Sequence, residues 1–189
     1  MINSVLRKKA ADSICRFVWE KLTGRKYRRL RAEIELRCYG PDGTLKWEEN
    51  GSNALVDEGE EYFIKVAISE QLSVPTTFYL GLSQSNESTL GESVTLSTIN
   101  EVSGTGYSRQ GINSDDTDWT VSKDSGDWQA QSKEVTFSAS GTWSAALSMF
   151  LTTVASGTSG RVIATKDLSQ SRTLYSGDQL KCRITIKAQ

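Results

Sequence analysis

Three carboxylates lie close together in one polar stretch of the chain: Asp115, Asp116 and Asp118. Calcium binds several oxygen ligands, so this trio could hold a calcium ion. The spacing lacks the internal glycine and the terminal glutamate of an EF-hand loop. A solvated acidic turn therefore fits these residues better than a metal site, and no metal is expected.

Other residue types that could perform catalysis are not arranged for it. The chain has no histidine, which removes the commonest general base and rules out a Ser-His-Asp arrangement. Glu58, Glu60 and Glu61 fall on a predicted helix, where a charged solvent face explains them. The Gly104–Gly106 pair lacks the later glycine and the βαβ context of a nucleotide-binding loop. We therefore expect a protein that is not an enzyme and has no cofactor.

Three tryptophans, Trp119, Trp128 and Trp143, follow one another in the second half of the chain. Exposed together, they could form a platform on which sugar rings stack. At strand spacing, tryptophans more often belong to a core or to subunit contacts. The sequence favours the second interpretation.

Residues 1–31 differ sharply from the rest of the chain in charge. They contain ten basic and two acidic residues, a net charge of +8, which leaves −9 on residues 32–189. Such an asymmetry is typical of an interaction arm. Apolar side chains recur at helical spacing over residues 4–22, and a basic run follows at 25–31. Since an isolated helix of this length is marginal in water, it needs a partner surface.

The predicted docking residues of the arm combine apolar anchors with positive charges. They are Leu6, Arg7, Lys8, Lys9, Ile14, Phe17, Val18, Trp19, Leu22, Arg25, Lys26, Arg28, Arg29 and Arg31. Docking into a groove of another protein and packing on the chain's own domain with a solvated basic face are favoured about equally. Phosphate contacts with nucleic acid come next. A membrane surface comes last, and no membrane partner is expected.

Alternation of apolar residues predicts strands over most of the remaining chain. Thr76–Leu82 places Phe78, Leu80 and Leu82 on one face, and Gly81 in its interior indicates a close backbone approach. Ala32–Tyr39 and Thr44–Glu49 predict a hairpin around a Gly-Pro-Asp-Gly turn, with the pattern broken at 50–53. Further strands are predicted at Trp119–Val121, Lys133–Ser138, Thr142–Thr153, Arg161–Thr165 and Gln179–Lys187.

One helix interrupts these strands. Residues 54–69 show helical spacing, with acidic residues in the first turns, where they favour the helix dipole. Short strands separated by Gly/Ser turns predict a mainly β domain over 32–189, an antiparallel, jelly-roll-like β-sandwich with one packed helix. Residues 1–31 form the separate basic helical arm.

The three cysteines, Cys15, Cys38 and Cys182, cannot all pair with one another. This favours a reducing compartment in which free cysteine is a small buried apolar residue. No run approaches the roughly 18 apolar residues that span a bilayer, so we expect a soluble protein.

Several segments in this order resemble a group of small structural proteins of tailed bacteriophages. They are Asn53–Gly59, Phe78–Leu82, Gly106–Gln110, Lys133–Phe137 and Ser176–Leu180. Within that group, some members are capsid decoration, head-fibre or tail-associated proteins. The resemblance covers residues 34–187. It implies an oligomeric β-sandwich component of the virion, assembled in the host cytoplasm, and it assigns no catalytic or binding residue.

From the resemblance and the arm together, we expect a capsid decoration or cement protein. We expect it to form a homo-oligomer, a trimer, and to dock on the major capsid protein or another virion protein. Two other functions stay open: a tail, connector or host-surface glycan-recognition protein, and a head protein that contacts nucleic acid through the arm.

Overall fold

The computed structural model describes residues 30–86 and 91–188. In this part of the chain the elements are β1 (Leu30–Tyr39), β2 (Leu45–Ala54), α1 (Asp57–Ala67), β3 (Thr77–Ser83), β4 (Gln110–Asn113), β5 (Trp119–Asp124), β6 (Asp127–Ser132), β7 (Val135–Ser138), β8 (Ala146–Thr152), β9 (Val162–Arg172) and β10 (Gln179–Ala188). The fold is mainly β with one helix, as predicted.

The strands form two antiparallel sheets. Sheet A has the order β2-β1-β10-β6-β5, and β7 also pairs with β10. Sheet B has the order β4-β3-β8-β9. Strand β10, the last in the sequence, therefore lies in the middle of sheet A, where it pairs with the first strand over their whole lengths.

Strict alternation explains the long β1–β10 pair. Ile34 and Leu36 of β1 are buried, and they lie opposite Ile184 and Cys182 of β10. The residues between them are polar and face away from the core, because successive side chains of a strand point to opposite faces. Cys38 and Cys182 are free thiols inside this core. The expectation that these two cysteines act as small buried residues is confirmed.

The main hydrophobic core unites residues from both sheets. Sheet B contributes Leu80, Leu82 and Met149, which are fully buried. The predicted strand around Leu80 is confirmed as β3. A Cβ atom at Gly81 would collide with the ring of Phe150 on the paired strand β8, so glycine leaves room there for that ring and the expected close backbone approach is not what requires it.

The predicted β1–β2 hairpin is confirmed, and its turn has the expected chemistry. Gly40 N–H donates to Thr44 O over 2.8 Å. The Asp42 carboxylate accepts from the Thr44 backbone N–H over 3.0 Å and from the Thr44 hydroxyl over 2.7 Å. Gly43 has a φ of 79°, in the left-handed region that glycine adopts without strain.

Several predicted strand boundaries were wrong, and one strand was missed. Strand β2 does not break at 50–53 but continues to Ala54, because β1 pairs with it throughout and the Asn53 side chain donates to Thr165 O over 2.8 Å. Strand β8 begins only at Ala146, and β9 extends to Arg172. Strand β6, at Asp127–Ser132, was not predicted at all.

Helix α1 confirms the prediction for 54–69, with shorter ends. Asp57, Glu58 and Glu60 occupy its first turn, where they favour the positive end of the helix dipole. Tyr62 points into the core. The helix lies on β9, where Glu58 Oε2 accepts from the Val162 backbone N–H over 2.8 Å.

Among the described residues, no helix combines the length and the apolar character needed to cross a membrane.

Candidate interaction site

The arm residues predicted to dock, from Leu6 to Arg29, lie outside the described residues. Arg31, the last of the set, is described and belongs to β1, where it lies opposite Lys187 and Ala54. The docking role of the arm therefore stays a prediction. The described domain has a site of its own that the sequence did not predict.

This site is a cavity of about 720 Å³ at one end of the two sheets, called the end cavity below. Strands β3, β8, β9 and β10, helix α1 and the β5–β6 hairpin all supply its walls. The walls are mostly apolar and consist of Phe63, Phe78, Trp119, Leu151, Ile163 and Ile186, with Val121 and Ala130 towards the outside. A concave apolar cavity with few polar groups is the usual form of a binding site.

Aromatic rings hold the cavity wall in shape. Phe78 meets Trp119 edge-to-face, with ring centroids 6.3 Å apart and planes at 81°. On its other side Phe78 meets Tyr62 in the same way, at 6.0 Å and 86°. Such edge-to-face contacts fix ring orientation and add to the energy of burial. The wall is therefore pre-formed by helix α1, β3 and β5.

Two polar atoms of the cavity lining lack partners. Trp119 Nε1 and Ser114 Oγ are buried and form no hydrogen bond with any described residue. A buried donor without a partner costs free energy of roughly 1–3 kcal/mol. The indole N–H can only donate. Both atoms are closed to solvent, so this cost belongs to the packing of the wall.

Asp115 and Asp116, two of the three carboxylates considered as a calcium site, line the cavity and are exposed. Asp115 Oδ1 accepts from the backbone N–H groups of Thr117 and Asp118, over 3.1 and 2.9 Å. Neither Asp115 nor Asp116 forms an ion pair within the described part of the chain. They give the end cavity an acidic rim.

The third carboxylate, Asp118, turns away from the other two. It is 6% exposed, and its Oδ2 accepts from the Asn113 backbone N–H over 2.6 Å and from Lys133 Nζ over 2.7 Å. Donors of the protein itself thus occupy this carboxylate. Among the residues that the structure describes, no group of three or more possible ligands could hold a metal ion.

The Asp118 carboxylate should make the stability of the folded domain depend on pH. The hydrogen bond from Lys133, and then the one from Asn113, hold the pKa of Asp118 below its ordinary value. Because the folded pKa is lowered, this stabilisation is complete above about pH 5 and is lost as the pH falls below about 4. We expect Asp118→Asn to lower the free energy of unfolding at pH 7. The decrease in the free energy of unfolding between pH 5 and pH 2 should also become smaller in the variant, as measured by urea unfolding. An equally large decrease in both proteins would contradict this role of Asp118.

The three tryptophans of the proposed sugar platform do not share one surface. Trp143 is 2% exposed and donates its indole N–H to Thr105 O over 2.9 Å. Trp119 belongs to the end cavity. Only Trp128 is largely exposed, at 58%, and Lys123 Nζ lies 5.1 Å from its ring centroid. The core interpretation is correct for Trp143.

Two other groups considered in the sequence, the glutamates of α1 and the glycines at 104 and 106, are explained by contacts within the fold. Glu61 forms ion pairs with Lys65 at 2.6 Å and with Arg161 at 2.5 Å, and these partners lower its pKa, Lys65 having the larger effect. A Cβ atom at Gly104 would run into Trp143, and one at Gly106 into Ser140. The glycines therefore serve a tight turn, as the sequence favours.

The comparisons with known proteins gave one match. A family model described as "Podophage GP4 fiber I protein gp80" matches residues 60–187, which is more than half of the chain. Neither the curated proteins nor the solved structures gave a significant match. The matched range contains the residues of the end cavity and both strands of the β5–β6 hairpin.

The sequence resemblance to phage structural proteins and the family match therefore agree. The mainly β domain, with a pre-formed apolar site at one end, suits a component that contacts other proteins. The chain belongs to the podophage GP4 fiber I protein gp80 family, and it is a structural protein of the phage virion.

Proposed function

We propose that this chain is a non-enzymatic building block of a fibre on the phage particle. The observation that carries the proposal is the family match over residues 60–187, which spans most of the helix and eight of the ten strands that the structure describes. A fibre component must contact neighbouring proteins, and the end cavity offers a surface for such a contact. The domain itself is proposed to be a jelly-roll-like β-sandwich that forms a closed oligomer, a trimer being the simplest symmetric form for a fibre.

The N-terminal arm is proposed to attach the domain to another virion protein. Its apolar residues, among them Phe17, Trp19 and Leu22, would be the anchors, and its arginines and lysines would steer the encounter with an acidic surface. Contact of the same arm with packaged nucleic acid is the weaker alternative. We also propose that the particle is assembled in the host cytoplasm.

Capsid decoration, the function expected from the sequence, is the second candidate. The charge asymmetry between residues 1–31 and the rest favours it, since a basic arm suits acidic patches on a shell. The two candidates differ in where the protein sits and in what its loss removes from the particle.

Particles assembled without this chain separate the two candidates. The fibre proposal predicts heads of normal stability that lack one type of fibre in negative-stain electron micrographs. Complete fibres on heads that lose their DNA on heating would instead indicate a decoration protein. Complementation with the full chain should restore the fibre. A chain that lacks residues 1–29 keeps β1 intact, and it should fold without restoring the fibre if the arm is the attachment element.

A further inference from the structure

We propose that the free edge of strand β5 and the end cavity together accept an extended segment of another virion protein. An apolar side chain of that segment would fill the cavity, and a lysine or arginine beside it would meet the acidic rim. This inference deepens the proposed function and rests on it. It names both the surface and the chemistry of the partner.

Strand β5 forms one edge of sheet A. Within the described residues, β5 pairs only with β6 and is the last strand of sheet A. The two-residue turn Ser125–Gly126, with φ values of 52° and 95°, closes the hairpin at the Asp124–Asp127 pair. In a hairpin of this kind the closing pair exchanges backbone hydrogen bonds.

The alternation along β5 then decides which backbone groups are free. If Asp124 bonds to β6, the backbone groups of Ser122 and Thr120 also face β6, and those of Val121 and Lys123 face the open edge. Trp119 fits this register, since its backbone N–H donates to Asp115 O over 3.0 Å, away from β6. The open edge can therefore pair with an added strand through Val121 and Lys123.

The face of the hairpin that carries Val121 and Trp128 is largely apolar, with Lys123 lying over the Trp128 ring. Val121 is 67% exposed and Trp128 is 58% exposed. Val121 lies opposite Ala130, which in turn lies opposite Ile186 of β10, and all three line the end cavity. Every second side chain of a strand added to β5 would point to this face. One such side chain would cover Val121 and reach the cavity.

The charges around the end cavity define the partner further. Asp115 and Asp116 lie just before the start of β5, on the rim of the end cavity. Lys123 lies at the other end of β5, near the hairpin turn. The segment should therefore carry its positive charge at the Asp115 end and none beside Lys123.

A titration of the full chain with synthetic peptides tests this site. The probe is an eight-residue peptide of alternating valine or phenylalanine and threonine with two lysines at one end. Nuclear magnetic resonance should show shifts in the amides of residues 119–124 and in the indole N–H of Trp119. A peptide with two glutamates in place of the lysines should bind at least about fivefold more weakly. N-methylation of every second residue of the lysine peptide should abolish binding, because it removes the strand hydrogen bonds.

Two variants complete the design. Asp116→Asn should weaken binding of the lysine peptide. It should not weaken binding of the glutamate peptide. Val121→Pro removes one outward N–H, which an edge strand tolerates, and should reduce binding strongly. Asp116→Asn keeps the test informative if the proline variant is unstable, since Asp116 is exposed.

Three results would overturn the proposal. Equal binding of the lysine and glutamate peptides would remove the charge argument, and shifts confined to β4 or β9 would place the contact on another edge. A dimer of the free chain that Val121→Lys dissociates would show a second copy as the occupant of the β5 edge. Failure of the peptide test alone leaves the fibre proposal intact, because that proposal is decided by the particles.

Discussion

Replacement of Arg109 by methionine is expected to lower the free energy of unfolding by about 3 kcal/mol, at the lower end of values for breaking a buried ion pair. The Arg109 side chain is 4% exposed and pairs with Glu101 through two bonds, Nε to Oε1 at 2.9 Å and Nη2 to Oε2 at 2.8 Å. Methionine replaces the aliphatic part of the arginine side chain but has no donor. Glu101 would be left without its partner.

The arginine also connects three separate stretches of chain. Its Nη1 donates to Val154 O and its Nη2 to Gly157 O, both over 3.0 Å. Glu101 Oε1 accepts from the Tyr107 hydroxyl over 2.8 Å, and that hydroxyl accepts from the Leu82 N–H of β3 over 2.9 Å. Loss of the guanidinium therefore removes support from the β8–β9 loop, from the segment around Glu101 and, through Tyr107, from β3.

Arg161→Met is the matched control. Arg161 pairs with Glu61 on the surface, where their side chains are 30% and 47% exposed, and such pairs contribute at most about 1 kcal/mol. Urea unfolding of both variants, followed by tryptophan fluorescence, measures the difference. Equal losses for the two variants would show that burial of the Arg109–Glu101 pair has no special effect.

Alanine at Gly59 is expected to destabilise the domain by about 3 kcal/mol, the upper range for overpacking of a filled site. A Cβ atom there would collide with the carbonyl oxygen of Ile163 in β9 and would lie 2.8 Å from its carbonyl carbon. These are backbone atoms, so no side chain can rotate out of the way. The same carbonyl accepts from Val56 N–H over 3.3 Å, just before helix α1.

The direction of the stability change at Gly59 shows whether close packing or helix propensity dominates at this position. At an open helical position, glycine to alanine stabilises by up to about 1 kcal/mol. Glu60→Ala, at the exposed neighbouring position, is the control and should change stability by no more than about 0.5 kcal/mol. Thermal unfolding by circular dichroism checks both variants, and a more stable Gly59→Ala protein would contradict the close packing of α1 on β9.

Sequence alternation predicted the elements whose two faces differ most. Strands β1 and β10 bury alternate apolar residues, and their positions were correct to within about two residues. Strand β3 was placed equally well, although from Leu80 onward it is buried on both faces. Strand β6 has a weaker signal, since Trp128 and Ala130 alternate with glutamines and Trp128 is exposed. Its strand form depends on pairing with β5 and β10, which no local pattern reveals.

The end cavity was not predicted for the same reason. Its walls come from segments far apart in sequence, such as Phe63, Trp119 and Ile186, and only the pairing of β5, β6 and β10 brings them together. The acidic residues were noticed as a group, but the local sequence could not show that Asp118 turns inward to Lys133.

The segments that carried the resemblance to phage proteins have structural roles in the domain. Arg109, in the Gly106–Gln110 segment, forms the buried pair with Glu101. Asp178, in the Ser176–Leu180 segment, is 1% exposed and accepts from Lys46 Nζ over 2.7 Å and from Tyr175 N–H over 3.0 Å. Such residues hold loops in place, so they identify the fold and do not locate the partner site.

Labelling of intact particles with a gold-conjugated antibody against this chain tests the central claim most directly. The fibre proposal predicts label confined to projecting fibres, at a fixed distance from the head. Label spread regularly over the head surface would contradict it and would support a decoration protein. Particles that carry no label, although the chain is present in their purified protein, would place it inside the virion and contradict both.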